Sequence, residues 1–177
     1  MTRTRPADAG FSLVEMLVVV AIIGVIASIA LPGLLRARLA GDEAAAIGSL
    51  RTINSSQATY AQTCGGGFYA PSLSELGNPP LGGGFAPFIS PDLASAAIVV
   101  KSRYEITLAG TPMAGAPAPC TALGPGQTAT GYQATATSLT PGGRHFAVNT
   151  LGTVWQDDLP FAGVPENTAP ANGTPIQ

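Results

Sequence analysis

The amino-acid sequence predicts an α+β protein, in which a long N-terminal helix packs its second half against a small antiparallel sheet. Residues 11–35 are the most apolar stretch of the 177-residue chain. Residues 36–63 keep a composition typical of a helix, and several later segments alternate apolar and polar residues as half-buried strands do. Gly and Pro occur 22 and 16 times, so we expect much of the head to be loop.

Length and charge limit the function classes. A chain of 177 residues fits one soluble head plus an appendage, with no reason to expect two cores. Charged residues make up 10% of the chain and the net charge is -2. This balance gives no electrostatic basis for binding a polyanion such as nucleic acid.

The N-terminus has the organisation of an export and membrane signal. Arg3 and Arg5 are the basic groups of the ten residues before the apolar run, as in the n-region of an export signal. As a helix, residues 11–35 would be about 37 Å long, enough to cross a hydrocarbon core of about 30 Å. Arg36 and Arg38 flank the other end, so the positive-inside rule does not orient the span.

Glu15 is the single charged residue of the apolar run, where an unpaired carboxylate would be costly. Cleavage between Gly10 and Phe11 would create an α-amino cation about one helical turn away. The amine of one subunit would equally neutralise Glu15 of the next, which would set the stagger between packed helices. The alternative is that Glu15 stays at headgroup level with no further role.

The residues GFSLVEMLVVVAIIG, positions 10–24, resemble the processing and assembly signature of type IV prepilins and of type II secretion pseudopilins. In that family a membrane peptidase cuts after the glycine and methylates the new N-terminal phenylalanine. The acid five residues into the mature chain drives filament assembly. The resemblance thus implies processing at Gly10 and Phe11, assembly through Phe11 and Glu15, and a pilin-like fold without enzymatic activity.

The apolar helix carries a proline. Pro32 lacks a backbone donor and Gly33 follows it, which predicts a kink or local opening over residues 29–33. A proline at this point also resembles pilins, in which subunits unwind there within the filament.

The helix is expected to continue to about Gln62, with a moderately amphipathic face that supports a sheet. The apolar residues of this face fall within about a third of the helix circumference. They are Leu39, Ala46, Leu50, Ile53 and Tyr60. Asn54 and Gln57 lie close to this face.

Strands are expected in three later segments. Val100, Tyr104, Ile106 and Leu108 alternate with polar residues in segment 97–110, which predicts one half-buried strand. Segment 130–138 repeats a weaker alternation. Segment 143–156 predicts two short strands joined by a turn at residues 149–152. Together they predict an antiparallel meander of three or four strands, preceded by a loop with a short turn at residues 72–76.

Cys64 and Cys120 lie beyond the apolar run, where an oxidising compartment would let them pair. The bond would close a loop of about 57 residues and stabilise the head by about 4 kcal/mol in the loop-entropy model. Two free buried thiols are the alternative.

Catalytic and metal chemistry receive little support. His145 is the single histidine, no nucleophile motif accompanies it, and we expect it at the surface or on a sheet edge. By resemblance to pseudopilins that bind calcium in a C-terminal loop, Asp157 and Asp158, with Glu166, are weak candidates for calcium ligands. We expect no cofactor.

We therefore expect a structural subunit of a type IV pilus or pilus-like filament. It would begin as a single-pass protein of the bacterial inner membrane with a cytoplasmic N-terminus, and end in a periplasmic or cell-surface filament. Its partners would be copies of itself, other pilins, the prepilin peptidase/methylase and the inner-membrane assembly platform. The alternatives are a type II secretion pseudopilin and a secreted binding or adhesive module cleaved after Ala30. The expected regions are a leader (1–10), a transmembrane and filament-core helix (11–35), its amphipathic continuation (36–63), a sheet-containing head (64–156) and a mobile Pro-rich tail (157–177).

Overall fold

A computed structural model describes residues 11–176. Its longest element is the helix α1, Leu13–Thr63. The chain divides after Ala40 into a helical unit and a head that begins at Gly41, so α1 contributes to both. The expected leader, residues 1–10, lies outside the described residues. The predicted α+β class is confirmed.

The helix continues through Pro32 and Gly33. Residues 29–33 are all helical in the described chain. A proline removes only one main-chain hydrogen bond of the helix, the one that its own nitrogen would donate to the carbonyl of Ser28. A bend of the helix axis at this point stays a prediction.

The second part of α1 forms one wall of the head core. Ala46, Leu50, Ile53 and Tyr60 are all buried, as their spacing predicts. Leu39, assigned to the same face, is instead 37% exposed. It belongs to the helical unit, which ends at Ala40.

Within residues 11–176 the sheet has six antiparallel strands, two more than the longest meander expected. The strands are β1 Ile98–Lys101, β2 Tyr104–Ala109, β3 Gln133–Ser138, β4 His145–Asn149, β5 Val154–Asp157 and β6 Thr174–Pro175. They lie side by side in sequential order, which places β3 and β4 in the centre and makes β1 and β6 the edges. The predicted turn at residues 149–152 joins β4 to β5.

Segment 97–110, expected as one strand, is a hairpin of β1 and β2. Its two turn residues, Ser102 and Arg103, have φ of 48° and 62°, the left-handed conformation of a two-residue type I′ turn. Because such a turn breaks the alternation, the inward residue of β1 is Val99, 6% exposed, and Val100 is 63% exposed. The expectation that Val100 is buried was wrong.

The segment expected as a mobile tail from residue 157 returns to the sheet. It supplies β6, whose Thr174 pairs with Gln156 of β5. The buried Asn149 side chain donates to the carbonyls of Pro165 and Thr168, both at 2.7 Å. Residues 157–176 are thus part of the head, and not a separate tail.

Two short helices follow α1 along the chain and precede β1. The first, α2, Leu73–Leu76, is capped by Ser72 and matches the predicted turn at residues 72–76. The second, α3, Pro91–Ala94, starts with a proline in its first turn and was not expected.

Candidate functional site

The helical unit, residues 11–40 of the described chain, presents an exposed apolar surface. All side chains from residue 11 to residue 40 are exposed except Ala27, which is half-buried. Its most apolar window of 18 residues has a mean hydropathy of 2.7 and is entirely unburied in the described chain. By length and composition this helix can cross a membrane. An apolar surface of this extent marks a membrane or protein contact.

Glu15 lies in the first turn of this helix. The helix starts just before it, where the Met16 nitrogen donates to the Ser12 carbonyl at 3.2 Å. This position puts the carboxylate near the positive end of the helix dipole. Within residues 11–176, no Lys or Arg side chain lies within salt-bridge distance of it. The carboxylate is therefore available to a cation from outside the described chain.

The processing residues fall at the limit of the structure. Gly10 lies outside the described residues, and Phe11, whose side chain is 67% exposed, is the first residue described. Phe11 and Ser12 precede the start of α1 at Leu13. A chain cut before Phe11 would therefore place its α-amino group next to the first turn, close to Glu15.

Cys64 and Cys120 are joined by a disulfide, with their Cα atoms 4.8 Å apart. The open question of free or paired thiols is thus answered in favour of pairing. The bond links the residue that follows α1 to the long loop between β2 and β3. The loop that it closes contains α2, α3 and the β1–β2 hairpin.

A buried carboxylate that the sequence analysis did not single out lies beside this disulfide. Oε1 of Glu75 accepts hydrogen bonds from the Tyr60 hydroxyl, at 3.1 Å, and from the Thr121 hydroxyl. Its Oε2 accepts from the amide of Asn78 at 3.0 Å. Burial raises the pKa of Tyr60, so the phenol keeps its proton and acts as donor.

The sequence contains one signal for this carboxylate. Ser72 and Glu75 form the Ser-x-x-Glu pattern of a capping box, and the Ser72 hydroxyl does accept from the Glu75 nitrogen at 3.3 Å. The Glu75 side chain, however, turns inward to Tyr60 and Thr121. Contacts between residues so distant in sequence cannot be read from a local pattern.

Two ion pairs connect the start of the head helix to the sheet. Glu43 pairs with Arg144, which also donates to Gln156 at 2.7 Å. Asp42 lies 3.9 Å from Arg103 of the β1–β2 turn. The side chains of both acids are 20% exposed, so water screens these pairs only in part.

The weak calcium candidates have separate hydrogen-bond partners. Asp157 accepts from the Leu159 nitrogen at 2.9 Å and from Asn172 at 3.2 Å. Glu166 instead accepts from the nitrogen and hydroxyl of Thr111, both at 2.7 Å. Residues 11–176 hold no group of three or more acidic, His or Cys side chains arranged to bind a metal ion.

His145, expected at the surface or on a sheet edge, is instead buried in the central strand β4. Its Nδ1 accepts a hydrogen bond from the Ser138 nitrogen at 3.1 Å, which requires that nitrogen to be unprotonated. Burial lowers the pKa of His145, and this effect outweighs the negative charges of Asp157 and Asp158, which raise it. The side chain is thus a packed, neutral core residue.

Comparison with known proteins identifies the N-terminal segment. A family model described as the prokaryotic N-terminal methylation motif matches residues 5–31. This motif is the signature of type IV prepilins and pseudopilins, whose members are structural subunits. Neither the curated proteins nor the solved structures contain a match to the chain. The motif supports a type IV pilin-like or pseudopilin protein that is anchored in the membrane before assembly.

Proposed function

We propose that this protein is a structural subunit of a type IV pilus or pilus-like filament. A prepilin peptidase would cut after Gly10 and methylate Phe11, and the helix of residues 11–35 would then pack in the filament core. The observation that carries the proposal is the methylation motif at residues 5–31 on a helix whose apolar surface is uncovered. Such a helix needs lipid before assembly and other helices afterwards.

The role of Glu15 follows from the low polarity of both environments. A carboxylate removed from water is strongly destabilised unless a cation pairs with it. The amine of Phe11 remains basic after methylation and would supply that cation from a neighbouring subunit. Any other stagger between the helices would leave both charges unpaired, so the pair would set the axial position of each new subunit.

The membrane stage precedes the filament. We propose a single pass through the inner membrane with the leader, residues 1–10, in the cytoplasm, where the peptidase/methylase reaches Gly10. The assembly platform of the inner membrane would then move the subunit into a periplasmic or cell-surface filament. Its partners there would be copies of itself and other pilins.

A pseudopilin of a type II secretion system is the second candidate, because prepilins and pseudopilins share the motif at residues 5–31. The two functions differ in where the filament ends. A pilus subunit would be recovered from the sheared cell surface. A pseudopilin would remain in the periplasm, and its deletion would abolish secretion through the type II system.

The experiment that tests the mechanism replaces Glu15 with Ala. Cleavage after Gly10 should proceed as in the unaltered protein, and filaments seen by electron microscopy should be reduced at least tenfold. Glu105→Ala is the matched control, since it removes one carboxylate from the outward side of strand β2 in the head. Normal filaments from Glu15→Ala, or equal losses in both variants, would contradict the docking role.

A further inference from the structure

Two chain segments meet at the disulfide, and hydrogen bonds from a main-chain nitrogen join them as well. The Cys120 nitrogen donates to the Cys64 carbonyl at 3.1 Å and to the Cys64 sulfur at 3.1 Å. The first segment is the end of α1, which contains Tyr60. The second is the loop that continues into Thr121. Side-chain contacts between these two segments therefore bear directly on how the sulfurs meet.

Glu75 contacts both segments with a single oxygen. Its Oε1 accepts from Tyr60, one helical turn before Cys64, and from Thr121, directly after Cys120. Tyr60, Glu75 and Thr121 are all buried. Hydrogen bonds in a buried place are stronger than those exposed to water. The carboxylate thus connects the same two segments that the disulfide connects.

These hydrogen bonds do not use the sulfur atoms. The donors are two hydroxyls and the amide of Asn78, and none of them changes when cysteines are oxidised or reduced. Among residues 11–176, no Lys or Arg is within salt-bridge distance of Glu75. A buried carboxyl group that loses its hydrogen-bond partners is destabilised, so the chain gains by bringing Tyr60 and Thr121 together before any disulfide exists.

We infer that Glu75 is a positioning residue for disulfide formation, which aligns the two segments in the reduced chain so that the thiols of Cys64 and Cys120 meet. The two thiols lose two protons and two electrons to a disulfide oxidant such as glutathione disulfide. The products are the protein disulfide and two molecules of glutathione, by way of a mixed disulfide. Alignment raises the effective concentration of one thiol toward the other, and the equilibrium constant for oxidation rises by the same factor.

The test measures that equilibrium constant in the full chain, held in detergent micelles with defined mixtures of reduced and oxidised glutathione. Alkylation of free thiols followed by mass spectrometry gives the oxidised fraction. Thr121→Val and Tyr60→Phe each remove one hydroxyl and keep the shape of the side chain. We expect each to lower the constant about tenfold, which corresponds to about 1.4 kcal/mol.

Two controls separate positioning from general loss of stability. Asn78→Ala removes a hydrogen bond to the same carboxylate without separating the two segments, so its effect should stay below about twofold. Val148→Ala removes buried apolar volume from strand β4, which lowers stability, and it should leave the constant unchanged. The inference is overturned if Thr121→Val changes the constant by less than about twofold, or if either control lowers it as much as Thr121→Val does.

Discussion

Gln57 allows a sharp test of how the head is held on its helix. Its side chain is fully buried, and it pairs with both main-chain groups of Ala70. The Gln57 amide donates to the Ala70 carbonyl at 2.8 Å, and its oxygen accepts from the Ala70 nitrogen at 2.9 Å. The Gln57 side chain thus satisfies both main-chain groups of Ala70, as a neighbouring strand would, and it attaches the loop that follows α1 to the helix.

Replacing Gln57 with Leu keeps a similar volume but leaves the two Ala70 groups unpaired. Ala70 is itself fully buried, so water cannot replace the lost partners. Each unsatisfied group costs about 1–3 kcal/mol, and the added apolar burial offsets about 1 kcal/mol. We expect a net loss of about 3 kcal/mol in the free energy of unfolding.

The assay is urea unfolding of the full chain in detergent micelles. Trp155 is the single tryptophan and is buried, so its fluorescence reports on the head. At an m-value of about 2 kcal/mol/M, the midpoint should fall by about 1.5 M. Gln62→Leu, on the exposed side of the same helix, is the matched control and should shift it by less than about 0.3 M. A shift of the urea midpoint for Gln57→Leu as small as that of the control would refute the reasoning.

Three further predictions concern the same head. Burial lowers the pKa of His145 below its ordinary 6.5. The unfolded chain therefore binds more protons than the folded chain around this pH, and the free energy of unfolding should fall as the pH is lowered from about 7.5 to about 5.5. His145→Asn should flatten that dependence in urea titrations, and an unchanged slope would contradict it. Arg144→Ala should lower stability by about 1 kcal/mol through loss of the Glu43 pair, and less in about 1 M salt; a salt-independent loss would mean that packing is responsible. Replacing Cys64 and Cys120 with Ser should lower stability by about 4 kcal/mol in the loop-entropy model, and a loss below about 1 kcal/mol would argue against it.

The helix and its inward face could be read from the sequence because both depend on local period. Leu50 and Ile53 recur at helical spacing, and the structure buries both. The motif around Gly10 and Glu15 is local in the same sense. It occupies one continuous stretch, which the family comparison matches.

The errors arose where the structure depends on distant contacts or on unusual turn residues. Ser102 and Arg103 form a left-handed turn without the Gly or Asn that commonly signals one, so the sequence predicts one strand where the structure has the β1–β2 hairpin. The C-terminal segment has no period of its own. Asn149 holds it by bonds to Pro165 and Thr168, which no local pattern shows.

The disulfide region shows the same limit at the level of chemistry. Composition and compartment suggested that Cys64 and Cys120 pair, but left free thiols open. The role of Glu75 depends on the approach of three segments that are separated by at least 15 residues along the chain. Only the fold brings Tyr60, Glu75 and Thr121 to one place.

The most direct test of the proposed function is the N-terminal mass of the protein purified from its native membrane or from the sheared cell surface. Proteolytic digestion and mass spectrometry would identify the first residue and its modification. A chain that starts at Phe11 and carries one added methyl group is the result we predict. A chain that starts at Leu31, as after secretory cleavage, or one that retains residues 1–10 would contradict the account of a processed filament subunit.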